Sequence, residues 1–107
     1  MAFTCTLTLN NEVAHITLAG ELDAAVAPQF RAKIEEAAAA KVTRLVLFMS
    51  ELEYMASAGL RSLAFAKQKM GANVDIYMVG VQETVAETIT MTGFHNSVIM
   101  VESYDEA

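Results

Sequence analysis

Four carboxylates and one serine carry most of the chemistry open to this chain. Glu21 and Asp23 are two residues apart, as are Glu51 and Glu53, and both pairs fall in segments read as loops. Paired carboxylates can move a proton or hold a divalent cation. Two residues of loop fix no geometry, however, and no general-acid partner is identifiable, so the pairs read as capping groups and an acidic rim suited to a basic docking partner. Ser57 lies in Met55-Ala-Ser-Ala-Gly-Leu60. A serine there caps the first turn of a helix. Its small neighbours Ala56, Ala58 and Gly59 leave the hydroxyl within reach of a kinase, and the helix N-terminus would stabilise an added phosphate. His15, His95 and Cys5 lack metal-ligand spacing and read as two surface histidines and a core thiol. No Gly-x-Ser-x-Gly elbow, Walker loop or Gly-x-Gly-x-x-Gly loop is present. The expectation is a chain with no catalytic centre, no metal and no cofactor.

The elements that would position these residues follow from periodicity. Phe3, Cys5, Leu7 and Leu9 alternate with Thr4, Thr6, Thr8 and Asn10, the period of a half-buried strand. Asn10-Asn11 reads as a tight turn, and Ala14, Ile16 and Leu18 continue as the second strand of a hairpin. Asp23 stands at or just before a helix start, with Pro28 tolerated early in the helix. Val26, Phe30, Ile34 and Ala37/Ala38 form its apolar stripe. Leu45 to Met49 is a continuous apolar run, expected as a strand buried on both faces. Ser50 to Met55 is read as loop. Ser57 opens a helix towards Met70 with Leu60, Leu63, Ala64 and Lys67 on one side, and Gly71 stops it. A strand over 74–79, a helix over 82–92 ended by Gly93, and a short strand over 98–101 complete a β-β-α-β-α-β-α-β order. Right-handed crossovers then place the junctions at Gly20 to Asp23, Ser50 to Ser57 and Gly80 to Gln82 along one edge of an α/β sheet. That edge is where such sheets usually carry function.

The chain has 107 residues, 7 Lys+Arg against 13 Asp+Glu for a net charge of −6, and 54% hydrophobic residues. This fits one domain over residues 1–107 and is too short for two domains with a cleft between them. The acidic balance argues against direct nucleic-acid or anionic-membrane binding. A lone Cys5, no charged lead ahead of an apolar block, and no apolar run near the roughly 20 residues a bilayer requires point to a cytoplasmic protein.

The order of elements, Gly20-Glu-Leu-Asp23 before the first helix, Ser57-Ala-Gly-Leu60 opening the second and Met91-Thr-Gly-Phe94 before the closing strand resemble the STAS domain. They resemble in particular its single-domain bacterial members, the anti-sigma factor antagonists. The resemblance spans essentially the whole chain and rests on order and spacing rather than on one motif. It implies a mixed, mostly parallel sheet of about four to five strands, with an N-terminal β-hairpin and three main helices. It also implies a non-catalytic antagonist that binds an anti-sigma factor which is itself a serine kinase, so regulating transcription indirectly. Phosphorylation of Ser57 by that kinase would release it. Ser57 matches the phosphoacceptor, Gly59 and Leu60 the residues after it, and Gly20, Glu21 and Asp23 the partner-facing loop. Glu51, Glu53, Met55, Ala56 and Ala58 join the expected partner surface: the alanines allow close approach, Met55 and Leu60 offer apolar contact, and the glutamates oppose a phosphate. Two positions depart from the family pattern, Ala56 where Asp is common and Phe48 where the third strand commonly has a polar or acidic residue. Other readings are an accessory subunit of a membrane transporter, a non-phosphorylated scaffold of a signalling assembly and, resting only on the carboxylate pairs, an enzyme. The hydrophobic content leaves room for a homodimer patch.

Overall fold

The structure is a computed structural model that describes residues 2–71 and 73–104. The alternating threonine-rich segment forms β1 (Thr4–Asn10), which turns at Asn11 and pairs antiparallel with β2 (Val13–Leu22). Asp23 then initiates the descent into α1 (Ala27–Ala39). Its Oδ1 accepts the backbone N–H groups of Ala25 at 3.0 Å and Val26 at 3.2 Å, and Pro28 occupies the first turn. β3 (Arg44–Met55), α2 (Ser57–Met70), β4 (Asp75–Val79), α3 (Glu83–Met91), a 3₁₀ turn (Phe94–Ser97) and β5 (Ile99–Val101) follow. The strands lie in the order β1-β2-β3-β4-β5, all pairs after the first being parallel. The expected element order and mixed sheet are therefore observed, with Gly71 and Gly93 following α2 and α3.

Two expectations about the elements need correction. The segment Ser50 to Met55 is strand, not loop: β3 continues through it, paired with Ala19 to Leu22 of β2 across two register shifts. Gly20 takes a positive φ of 90° in this irregular stretch, a conformation open to glycine without a Cβ clash. The shifts also break the two-residue alternation. Leu52 and Met55, three apart, are both buried, whereas Glu51, Glu53 and Tyr54 are exposed. The second correction concerns α2, whose buried stripe is Gly59, Ser62, Leu63 and Ala66, one position round from the expected Leu60, Leu63, Ala64 and Lys67. Ser62 tolerates burial because its hydroxyl donates to the Ala58 carbonyl at 3.1 Å.

One continuous core joins alternate strand residues, among them Ile16, Leu18, Leu45, Leu47, Ile76 and Met78, to Phe30 and Ile34 of α1, Leu63 and Ala66 of α2, and Val85 and Ile89 of α3. Helices gather on one face because each parallel step moves in the same direction along the sheet and right-handed crossovers fall on the same side. Cys5 packs against this core, and burial pushes its thiol up to about 11. The opposite face carries Val46, Phe48 and Tyr77, and Tyr104 lies across it. The Tyr104 ring stands edge-on to His15, Phe48 and Tyr77 at centroid distances of 6.1, 6.4 and 5.4 Å. Arg44 donates to its hydroxyl at 3.0 Å. His15 is thus half-buried under an aromatic cover rather than a plain surface histidine, and His95 is likewise half-buried. Phe48, one of the departures from the family pattern, is part of this cover.

Candidate functional site

The carboxyl ends of β2 and β3 form the site's floor. Beyond Phe48, the last β3 residue matched to β4, β3 pairs with β2 alone, and Glu21 stands opposite Tyr54 and Leu22 opposite Met55. The carbonyls on the other side of this extension are met by the start of α3, where Gln82 Nε2 donates to the Ser50 carbonyl at 2.8 Å. Chain reversal into α2 is held by the Ala56 N–H, which donates to the Leu22 carbonyl at 2.9 Å. Three separate stretches of sequence are thereby tied to one edge.

Ser57 sits at the first helical position of α2, exposed, while Ala56 is the N-cap in extended backbone with φ −80° and ψ 170°. This corrects the expectation that Ser57 is the cap. Alanine supplies no side-chain oxygen, and among the described residues the Ser57 hydroxyl makes no hydrogen bond. A serine whose hydroxyl is not engaged in capping is available to another molecule.

The expected partner-facing residues divide by burial. Glu21, Asp23, Glu51 and Glu53 are exposed on the edge, but Glu21, Glu51 and Glu53 belong to strands rather than loops. Ala56, Ala58 and Leu60 are half-buried around Ser57. Gly20, Met55 and Gly59 are buried and face the interior, so none of them can offer a partner side-chain contact. Met55 is only 3% exposed. Gly59 is there because a Cβ at that position would meet Leu22 Cγ at 2.8 Å and Met55 Cγ at 3.0 Å. These three residues shape the edge from beneath.

Sequence reasoning missed two features. Tyr54, 49% exposed at the end of β3, is a large aromatic among the rim carboxylates. Its neighbour Met55 is singled out instead, because a segment read as loop assigns neither residue a face. The second is an open groove of about 420 Å³ beside the serine. Ser57, Leu60, Arg61 and Ala64 of α2 form one wall. Thr92, Gly93, Phe94 and Ser97, from the turn after α3, form the other. A four-residue spacing on a helix could have flagged Arg61 as sharing a face with Ser57. The approach of Phe94, 37 positions after Ser57 in the 107-residue chain, has no local signal.

The sequence profile of the STAS domain matches residues 5–107. The chain belongs to the STAS domain family. Among curated relatives, the anti-sigma-F factor antagonist RsfB of Mycobacterium tuberculosis is 27% identical over 106 residues, spanning 99% of this chain and 87% of that protein. Among solved structures, an anti-sigma factor antagonist from Mycobacterium paratuberculosis superposes with a TM-score of 0.88 at 24% identity, covering 98% of this chain and 90% of the other. SpoIIAA from Bacillus in its phosphorylated form superposes with a TM-score of 0.73 at 23% identity, covering 98% and 94%. The STAS fold is common to these structures, with the same helix-covered mixed sheet. Among the described residues, no helix is long and apolar enough to cross a membrane, and no group of three or more His, Cys, Asp or Glu side chains could hold a metal ion.

Proposed function

We propose that this chain is an anti-sigma factor antagonist: it binds an anti-sigma factor that is also a serine kinase, in the cytoplasm, and is released when Ser57 is phosphorylated. The observation that carries the reading is the Ser57 hydroxyl, exposed at the first turn of α2 and unused by its own helix. The 27% identical relative RsfB, named an anti-sigma-F factor antagonist, supports the partner class. Ser57 and Leu60 flank the groove, and Tyr54 offers an aromatic anchor of the kind that concentrates binding energy in a small interface. The acidic rim of Glu21, Asp23, Glu51 and Glu53 favours a basic surface opposite.

Phosphorylation changes this surface directly. The Ser57 Oγ–P bond forms as the bond from the γ-phosphorus of a nucleoside triphosphate to its diphosphate breaks, and the hydroxyl proton passes to a base of the kinase. The product adds about −1.5 to −2 charge to a chain already at −6. Inside an interface beside carboxylates, the phosphate meets like charge and loses solvation, and each ~1.4 kcal/mol of that penalty weakens binding about tenfold. The test is calorimetric titration of the anti-sigma factor with the wild type, Ser57→Ala and Ser57→Asp, alongside mass mapping after incubation with the partner and Mg-ATP. A gain of about 80 Da on Ser57, retained binding for Ser57→Ala and weakened binding for Ser57→Asp are expected. Equal affinities for the two variants would sink the charge switch.

A further inference from the structure

We propose that Arg61 holds the phosphoryl group of Ser57 in cis, folding it along α2 over the mouth of the groove instead of leaving it pointing into solvent. The proposal rests on the phosphoacceptor reading of Ser57 and adds what receives the phosphate. It starts from how the three arginines are used. Arg31 lies 4.4 Å over the Phe65 ring, and Arg44 lies 5.1 Å over Tyr77 and donates to Tyr104. Arg61, among the described residues, makes no ion pair, hydrogen bond or ring contact, although the chain carries 13 acidic residues. It is exposed and lines the same groove as Ser57.

The geometry is that of an i, i+4 helix pair, whose Cβ atoms lie about 5–6 Å apart on one stripe. The order is the favourable one, anion on the N-terminal residue and cation on the C-terminal one. A guanidinium matches two phosphate oxygens with its planar fork, which a lysine at the same place could not do. Among the described residues, none that lines the groove is acidic and Arg61 is its one charged side chain, so no carboxylate of the lining competes for it. The hydroxyl of Ser97 on the facing wall supplies a further donor within the same concavity, whereas that of Thr92 already donates to the Ile89 carbonyl at 2.9 Å. Phosphorylation then acts twice on a docking partner: the group fills the groove mouth, and it removes the groove's cation from intermolecular use.

The test places phosphoserine at position 57 co-translationally, so it needs no kinase, and follows the phosphorus resonance of the full-length chain through a pH titration. A free phosphoserine loses its second proton near pH 6. With Arg61 present the midpoint is expected about half a unit lower, because the cation favours the dianion, and Arg61→Gln should return it most of the way. Lys69→Gln, at the far end of α2, serves as the control for net charge and should leave the midpoint where it was. An identical midpoint with and without Arg61, or an equal shift in the Lys69 variant, overturns the clamp. Both variants replace exposed side chains, and circular dichroism confirms the fold in each. If the phosphorylated chain still binds the anti-sigma factor, the proposed function fails while the titration result stands, so the two failures are separable.

Discussion

Gly59→Ala asks whether the placement of Ser57 depends on close packing beneath the first turn of α2. An alanine Cβ at this position would lie 2.8 Å from Leu22 Cγ, 2.9 Å from Leu22 Cδ2 and 3.0 Å from Met55 Cγ. Carbon atoms rest about 3.5–4.0 Å apart, so the helix start must lift by roughly 0.5–1 Å. Leu22 is fully buried and Met55 nearly so, which leaves neither side chain room to swing aside. Overpacking of this kind costs about 1–3 kcal/mol. Replacing glycine by alanine within a helix gives back up to about 1 kcal/mol. The net expectation is a loss near 1 kcal/mol, or a melting temperature lower by about 4–8 °C for a domain of this size. The sign is the informative part, because without the clash the same substitution would stabilise. Thermal and urea unfolding of Gly59→Ala, Leu22→Ala and the double variant would decide it. Leu22→Ala alone should cost about 2–5 kcal/mol, but in its background Gly59→Ala should become neutral or stabilising, a coupling of about 1 kcal/mol or more. A raised melting temperature for Gly59→Ala in the wild-type background, or an equal loss in both backgrounds, refutes the packing argument. The lift should also displace Ser57 and weaken anti-sigma factor binding beyond what the unfolded fraction explains.

Ala56→Asp supplies the carboxylate that the N-cap of α2 lacks, in backbone already extended as a capping residue requires, and should raise stability by about 1 kcal/mol in chemical denaturation. An unchanged or lower midpoint would mean that the first-turn N–H groups are better served by solvent than by a side chain. Tyr104→Ala removes three edge-on ring contacts from the helix-free face and should cost about 1–2 kcal/mol by urea unfolding, with anti-sigma factor affinity unchanged because the site lies at the strand ends. A midpoint equal to that of the wild type would show that the aromatic cover contributes nothing to stability.

Local physics made much of this protein legible from its sequence. The alternation of Phe3, Cys5, Leu7 and Leu9, the four-residue spacing of Phe30 and Ile34, and terminators at Gly71 and Gly93 each depend on neighbours within a few residues, and the hairpin and three helices formed where they pointed. The start of α2 at Ser57 is local in the same sense. Tertiary structure decided the remainder. Ser50 to Met55 is strand because β2 pairs with it across two register shifts, and no property of the six residues alone provides that partner. Those shifts put Leu52 inward and Glu51 and Glu53 outward. Gly59 proved to be a packing requirement because Leu22, far earlier in the chain, lies directly beneath it. The groove joining Arg61 to Phe94 and the cover of Tyr104 over Phe48 likewise bring together residues distant in sequence. Periodicity records which way a side chain points relative to its own element; what it meets there depends on how the elements pack, and that packing minimises the free energy of the whole chain rather than of any one segment.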